Sequence, residues 1–219
     1  SLVGSEMCIR DRSRLAPESL ASIGGAAPFA VDDFVAATQR LVSRAGGRAL
    51  MTALVPAQLA RLLESEHALS SLQAYTAVLI GGSRFDVHLR ERALNAGVRC
   101  VATYGLTETS GGCVYDGRPF TGVDVVTREG ELLIRGDVLA SGYRLDPERT
   151  AHRFVDGWLR TGDAGRVDDL VTVHGRLDDV VQINGVNVST SAVERVISAL
   201  PGVQACAVLA AEHVDGVTG

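Results

Sequence analysis

The sequence predicts an α/β fold, in which a parallel sheet with flanking helices is followed by a small antiparallel β unit and the start of a small α+β C-terminal domain. Three observations predict it. Short apolar runs alternate with amphipathic helical segments from residue 31 to residue 103. From about residue 118 the helical pattern changes to alternating strands joined by turns. A further helical segment follows residue 189.

Three helical segments come first. The segment 31–46 repeats apolar side chains at helical spacing and ends at a glycine pair, which suits a helix C-cap. A single helix is predicted over 56–69, opened by a proline at a first-turn position. A third is predicted over 86–97, closed by an asparagine and a glycine. The side chains expected on the core face of the first helix are Phe34, Val35, Thr38, Leu41 and Val42.

Apolar runs of strand length separate these helices, at 49–55, 77–82 and 98–103. Strands that alternate with helices form right-handed β-α-β crossovers in a parallel sheet covered on both faces. Ligands of open parallel sheets bind beyond the carboxyl ends of the strands. The segments that follow the second and third strands are therefore the candidate ligand-binding loops.

The second half of the chain reads differently. The segment 123–136 predicts a hairpin around the turn "TREGE", and strands without helices are expected as far as residue 189. A helix then follows, with Ser191 and Glu194 as its capping box. One apolar strand and a turn are expected within 203–219.

Composition excludes several classes of function. The chain has 219 residues, 46% of them hydrophobic, and a formal net charge of −5, with arginine mixed among acidic residues. We expect no nucleic-acid partner, since no basic stripe is present. No apolar run approaches the length of about 20 residues that a membrane span needs. The four cysteines are widely spaced, which disfavours a disulfide framework or a zinc site and favours a cytoplasmic location.

The first residues, 1–13, match neither a helical nor a strand period. They resemble translated adaptor sequence at the ends of assembled genes, although an ordinary flexible N-terminus fits them too. We leave them out of the predicted fold and expect a non-native or disordered segment there.

The two candidate loops share a composition that suits phosphate. Gly81, Gly82 and Ser83 follow the second strand, and the segment 104–110 follows the third. Glycine lets a backbone approach a ligand closely, while serine and threonine supply hydroxyl and amide donors for phosphate oxygens. A carboxylate among them, Glu108, would repel phosphates unless it holds a bridging magnesium ion.

Structural interpretations of these segments stay open from local sequence alone. "TET" also suits a helix start with capping hydroxyls, and "GGS" suits a simple turn. The later segment "RTGD" suits an ordinary Thr-Gly-Asp turn.

Three segments in order carry a family resemblance: "YGLTET" at a strand end, "WLRTGD" at a turn, and "GRLDD" after a strand. Together with "GELLIRGDVLASGYR" and "VQINGVNVSTSAVE" they resemble the adenylate-forming superfamily of acyl-CoA ligases, luciferases and peptide-synthetase adenylation domains. The resemblance runs from about residue 50 to residue 219. It implies that residues 14–177 form the C-terminal part of a large AMP-binding domain and that 178–219 form the hinge and a truncated start of a small domain.

The resemblance also implies a role for each motif residue. Tyr104 would lie against adenine, with the backbone of Gly81, Gly82 and Ser83 on the other side. Thr107 would contact the α-phosphate and Glu108 would hold Mg²⁺. The remaining implied roles are ribose binding by Asp163, ribose or phosphate binding by Arg176, and the hinge at Asp178. Gly105, Gly111 and Gly112 are candidates for a pocket floor, and they suit ordinary turn glycines equally well.

The implied reaction is that of an acid–CoA ligase. A substrate carboxylate attacks the α-phosphorus of ATP and releases pyrophosphate, and coenzyme A thiolate then takes the acyl group and releases AMP. The whole stretch "YGLTETSGGCVYDG" resembles actinobacterial o-succinylbenzoate-CoA ligases of menaquinone synthesis. Other acyl- or aryl-CoA ligases and peptide-synthetase adenylation domains remain alternatives.

The sequence also departs from the family pattern. The Gly/Ser/Thr-rich phosphate loop expected upstream of residue 50 is missing, and residues 178–219 contain no lysine of the kind that serves adenylation in the family. We therefore expect the 219-residue chain alone to be inactive in adenylation. A non-catalytic nucleotide-binding remnant is the alternative from a different functional class.

Overall fold

The computed structural model describes residues 29–183, 186–198, 200, 202–203 and 206–209. The prediction for residues 1–13 falls outside the described residues. The chain divides into two compact units, and each is described by itself. The predicted domain boundary at residue 178 stays a prediction. The first unit consists of Ser1–Thr121 with Val138–Ser141, and the second of Gly122–Asp137 with Gly142–Gly219.

The first unit contains the predicted parallel sheet. Its strands are β1 (Met51–Leu54), β2 (Ala77–Ile80), β3 (Cys100–Leu106), β4 (Gly111–Tyr115) and β5 (Arg118–Pro119). Strands β1, β2 and β3 pair in parallel, so that Leu54 lies beside Ile80 and Ile80 beside Ala102. Strands β4 and β5 continue the sheet in antiparallel fashion, in the order β1-β2-β3-β4-β5.

Helices pack against this sheet to form an apolar core. The helices are α1 (Val31–Ala45), α2 (Pro56–Leu63), α3 (Glu66–Gln73) and α4 (Val87–Asn95). Their buried faces enclose a cluster that includes Phe34, Leu59, Leu62, Leu72, Val78 and Ile80. The helix–strand alternation predicted from the sequence is confirmed.

Two details of the helices differ from the prediction. The single helix expected over 56–69 is two helices, because Ser65 takes an extended conformation (φ −112°, ψ 113°) and interrupts the helical path. On α1, Phe34 and Thr38 are buried as expected, but Val42 is 48% exposed and Ala37 is buried in its place.

The second unit is built around an antiparallel sheet. Its strands are β6 (Val123–Arg128), β7 (Glu131–Gly136), β8 (Phe154–Val155), β9 (Trp158–Val167) and β10 (Val171–Arg176). They pair in the order β10-β9-β7-β6, with β8 paired to β9. The predicted hairpin over 123–136 is confirmed, and its turn places Glu129 and Gly130 at positive φ.

One helix in this unit was not expected. Helix α5 (Pro147–Arg153) begins after Asp146, whose carboxylate accepts a hydrogen bond from the Arg149 backbone N–H at 2.9 Å. An aspartate N-cap followed by a first-turn proline is a standard helix start. The prediction of strands without helices in this region was therefore wrong.

The last elements are a strand pair and a helix: β11 (Val180–Ile183), β12 (Val186–Ser189) and α6 (Thr190–Ser198). The capping box proposed for α6 is wrong. The Ser189 hydroxyl accepts from the Ala192 backbone N–H, and the Glu194 carboxylate accepts from the Val208 N–H. The described residues 206–209 form no strand.

Within the described ranges, no helix has both the length and the apolar character that crossing a bilayer requires.

Candidate functional site

The glycine turn after β2 lies against β3. A Cβ atom on Gly81 would fall on the side-chain oxygen of Thr103, and that hydroxyl donates a hydrogen bond to the Ile80 carbonyl at 3.1 Å. Gly82 has φ +81°, a conformation that side chains rarely adopt. The sheet therefore brings the Gly81-Gly82 backbone to the same edge as the segment that starts at Tyr104.

Tyr104 belongs to a strand, whereas the sequence suggested that it begins the loop after that strand. Strand β3 continues to Leu106, a 3₁₀ turn covers Thr107–Thr109, and β4 returns antiparallel. The pairing shifts register at Gly105, where an added Cβ would meet the carbonyl of Gly111. Glycine is therefore required there for the two strands to approach.

The three polar residues of the turn have different environments. Thr109 is buried, and its hydroxyl accepts from the Leu106 N–H at 2.9 Å and lies 2.7 Å from the Gly111 carbonyl. Thr107 is exposed and Glu108 is half-buried. The capping interpretation of "TET" thus holds for Thr109, while Thr107 and Glu108 are accessible to a ligand.

The segment 138–141 forms two hydrogen bonds with this turn. The Ala140 N–H donates to the Glu108 carbonyl at 2.7 Å, and the Ser110 hydroxyl donates to the Val138 carbonyl at 3.2 Å. Ser110 has φ 56°, so its backbone is held in the left-handed region. These contacts give the Glu108 backbone a defined position.

Glu108 is suited to a metal that a ligand also holds. Among the described residues, no group of three His, Cys, Asp or Glu side chains is placed to bind a metal ion. Mg²⁺ commonly uses one or two protein carboxylates together with substrate phosphates and waters. A single half-buried carboxylate beside a turn with an exposed threonine fits that kind of site.

The end of the "YGLTETSGGCVYDG" stretch has structural partners of its own. The Asp116 carboxylate accepts from the Ala102 N–H and from Arg90, each at 3.0 Å. The Tyr115 ring stacks on Phe120 with centroids 4.4 Å apart. Asp116 therefore anchors the hairpin to the sheet and to α4.

In the second unit, β9 carries an irregularity at the "RTGD" motif. Leu133 pairs with Arg160, but Glu131 pairs with Ala164, so the residues between are displaced from the regular ladder. The Thr161 hydroxyl is fully buried, donates to the Leu132 carbonyl at 2.6 Å and accepts from the Asp163 N–H at 3.0 Å. Irregularities of this kind redirect a side chain.

The redirected side chain is Asp163, and Arg176 contacts it. The Arg176 Nη1 atom lies 3.2 Å from the Asp163 carboxylate and donates to the Thr161 carbonyl at 3.0 Å. Their side chains are 39% and 9% exposed, respectively. The structure thus brings together two residues that the sequence placed in separate motifs.

Arg176 also contacts Asp178. Its Nε and Nη2 atoms donate to the two Asp178 carboxylate oxygens at 2.9 and 3.3 Å. These hydrogen bonds lower the pKa of Asp178 and raise the pKa of Arg176. One planar guanidinium therefore joins the candidate ribose carboxylate to the candidate hinge carboxylate.

Sequence reasoning missed Glu131. Its buried carboxylate accepts from Arg160 at 3.0 and 3.1 Å and from the Gly162 N–H at 2.8 Å. Glu131 thereby satisfies a backbone donor that the irregular strand leaves without a ladder partner. An acidic residue at the head of the apolar strand "ELLIRG" was the signal that could have identified it.

Known proteins share this architecture and sequence. No protein-family model matches the chain. The chain is 39% identical over 174 residues to the "Probable 2-succinylbenzoate–CoA ligase" of Mycobacterium tuberculosis. This alignment covers 76% of this chain and 45% of that protein. It is 35% identical over 159 residues to the 2-succinylbenzoate–CoA ligase of Escherichia coli, covering 68% and 34%.

A solved structure of the same class of ligase also matches this chain. The o-succinylbenzoate-CoA synthetase of Bacillus subtilis, in complex with its acyl-adenylate intermediate, matches with a TM-score of 0.69 and 25% identity, over 85% of this chain and 42% of that one. The chain therefore spans less than half the length of these relatives.

The chain belongs to the adenylate-forming superfamily. The predicted resemblance and fold class are confirmed. Within that superfamily, its homologues are the 2-succinylbenzoate–CoA ligases and other acyl-CoA ligases.

Proposed function

We propose that this protein is an AMP-forming acid–CoA ligase and that its acid is o-succinylbenzoate. The Asp163–Arg176 pair is the observation that carries the proposal. A mostly buried carboxylate oriented by a guanidinium is suited to accept two hydroxyl hydrogen bonds from a ribose. The sequence relatives and the acyl-adenylate bound to the Bacillus subtilis structure support the same chemistry.

Each motif residue then has a proposed task. Asp163 binds the ribose, Arg176 binds the ribose or a phosphate, and the Gly81-Gly82-Ser83 backbone and Tyr104 line the adenine position. Gly105 keeps the hairpin backbone close to the nucleotide. Thr107 donates to the α-phosphate, and Glu108 holds Mg²⁺, which would neutralise charge on the phosphates. Asp178 is the hinge between the two half-reactions.

The proposed reaction uses ATP, coenzyme A and the acid as substrates. A carboxylate oxygen of the acid bonds to the α-phosphorus as the bond to pyrophosphate breaks. The thiolate sulfur of coenzyme A then bonds to the acyl carbon, and AMP leaves with the electron pair of the acyl–oxygen bond. The contribution of the chain is orientation and charge neutralisation.

The cysteines are compatible with a reducing cytoplasm as the proposed location. Among the described cysteines, Cys100 and Cys113 are free thiols, and the Cys206 thiol donates a hydrogen bond to the Glu194 carbonyl at 3.4 Å.

A binding experiment tests the nucleotide site. Calorimetric titration of the 219-residue chain with AMP, and with a non-hydrolysable acyl-adenylate analogue, should give saturable binding that Asp163→Ala weakens at least about tenfold. Asp124→Ala is the matched control, because Asp124 pairs with Arg135 on the exposed surface of the same unit. Equal affinities of both variants and the unsubstituted chain would contradict the ribose role.

A turnover experiment separates ligase from remnant. Residues 178–219 contain no lysine, so we expect binding by the chain without ATP–pyrophosphate exchange. In a longer protein from the same locus, o-succinylbenzoate should support thioester formation faster than fatty and simple aryl acids. Equal rates across such a panel would refute the substrate assignment, and binding without turnover in the longer protein would favour the nucleotide-binding remnant.

A further inference from the structure

Arg153 lies beside the candidate nucleotide site although it belongs to none of the motifs. It is the last residue of α5, and the short β8–β9 hairpin that follows returns the chain so that Phe154 pairs with Leu159. The Arg153 Nη2 atom donates to the Thr161 carbonyl at 2.9 Å. An arginine from a helix end thus holds the backbone just before Gly162.

Arg153 and Arg176 share one acceptor. Arg176 Nη1 donates to the same Thr161 carbonyl at 3.0 Å, and a carbonyl oxygen has two lone pairs for two donors. A Cβ on Gly162 would lie 2.9 Å from Arg176 Nη2 and 3.2 Å from Arg153 Nη1. The two guanidinium groups therefore flank one face of Gly162.

The position of Arg153 is costly. Its Nε atom is buried and has no hydrogen-bond acceptor among the described residues, although the Arg153 charge contributes to the lowered pKa of Asp178. A buried donor without an acceptor destabilises a fold by about 1–3 kcal/mol. Buried donors without an acceptor are rare in folded proteins, and a functional role is one explanation for them.

We propose that Arg153 is a positioning residue for nucleotide recognition, which fixes the Thr161 carbonyl and through it the Arg176–Asp163 pair. The inference rests on the proposed ribose role of Asp163. Gly162 has φ +71° and no side chain, so the Thr161–Gly162 peptide depends on its hydrogen bonds: its carbonyl accepts from Arg153 and Arg176, and its N–H donates to Glu131. When Arg153 is removed, the carbonyl keeps only Arg176 as a donor, so the peptide and the Asp163 carboxylate that follows it are held less firmly.

The first test needs no ligand. Amide hydrogen exchange of residues 160–165 should accelerate about tenfold in Arg153→Ala and less in Arg153→Lys, which keeps one donor. Arg149→Ala is the matched control on the same helix, since its guanidinium lies 4.2 Å from the Tyr143 ring centroid. Added guanidinium ion should restore slow exchange in Arg153→Ala. Equal exchange in the Arg153 and Arg149 variants overturns the positioning role.

The second test compares AMP, 2′,3′-dideoxy-AMP and adenosine. If Arg153 acts through Asp163, Arg153→Ala reduces the preference for AMP over 2′,3′-dideoxy-AMP about tenfold and leaves the ratio of AMP to adenosine unchanged. If the preference for AMP over 2′,3′-dideoxy-AMP is unchanged while the ratio of AMP to adenosine falls, Arg153 acts on the phosphate and not through Asp163, and the inference is wrong.

The two tests separate this inference from the proposed function. Failure of the unsubstituted chain to bind any of the three ligands overturns the ribose role of Asp163, and with it the link between Arg153 and nucleotides. The exchange measurement still decides whether Arg153 positions the Thr161 peptide. Arg153→Lys serves both tests if Arg153→Ala does not fold.

Discussion

Replacing Thr161 by valine tests whether its hydroxyl supports the irregular strand at Asp163. The side chain has 0% exposure, and its oxygen takes part in two hydrogen bonds, to the Leu132 carbonyl and from the Asp163 N–H. Valine has nearly the same shape, so packing is retained and both bonds are lost.

The magnitude follows from those two bonds. A buried backbone group left without its partner costs about 1–3 kcal/mol. With two such groups, Thr161→Val should lower the free energy of unfolding by about 2–6 kcal/mol. Thr161→Ser keeps the hydroxyl and removes one methyl group, so it should cost about 1 kcal/mol.

Urea unfolding monitored by tryptophan fluorescence is the suitable assay. The chain contains one tryptophan, and Trp158 is nearly buried on the same strand as Thr161. The slope of the free energy against urea should stay unchanged, since little surface is altered. A loss below about 0.5 kcal/mol for Thr161→Val, or an equal loss for Thr161→Ser, would refute the structural role of the hydroxyl.

Three further predictions concern glycine, a thiol and a carboxylate. Gly105→Ala should lower the melting temperature more than Gly112→Ala, because a Cβ at 105 meets facing backbone, whereas at 112 it meets the movable Tyr115 hydroxyl; equal shifts would contradict this. Burial raises the pKa of Cys100 to about 11, so at pH 9 it should be alkylated about 50-fold more slowly than a free cysteine, and a normal rate in the folded protein would disprove the burial. The pKa of Asp178, followed by NMR, should lie below its ordinary value and return towards that value in Arg176→Gln. The pair therefore stabilises the folded state above the unfolded pKa of about 3.9, and this stabilisation is lost as pH falls through the folded pKa. An unchanged titration in the variant would exclude the pairing.

Local sequence predicts the elements whose pattern is repeated within a few residues. The helix α1 and the hairpin of β6 and β7 follow from apolar spacing and glycine placement, and both form as predicted. Periodicity averages over a window of residues, so a single extended residue goes unseen. The break at Ser65 is such a case, since the leucines on either side of it still share one helical period.

The missed helix α5 has a different cause. Its seven residues are too few to show a period, and none of them is buried. What starts the helix is the Asp146 cap and Pro147, a signal of two residues that also suits a turn. Short helices that depend on a cap are therefore harder to predict than long amphipathic ones.

Motif spacing indicated the candidate site residues, but not their mutual support. Asp163 and Arg176 were identified from separate motifs, and their contact depends on the pairing of β9 with β10. Glu131 and Arg153 were missed because each acts on backbone atoms of residues 161 and 162 that a linear pattern does not relate to them. Contacts of side chain to distant backbone require the fold.

The two ends of the Arg176 guanidinium respond differently to ionic strength. The Asp178 side chain is 73% exposed, whereas Asp163 is nearly buried. Dissolved ions screen exposed charge pairs over about 10 Å at 0.1 M salt and reach buried pairs much less. Added salt therefore weakens the Arg176–Asp178 ion pair more than the Arg176–Asp163 pair. At high ionic strength, Arg176 remains paired mainly with Asp163.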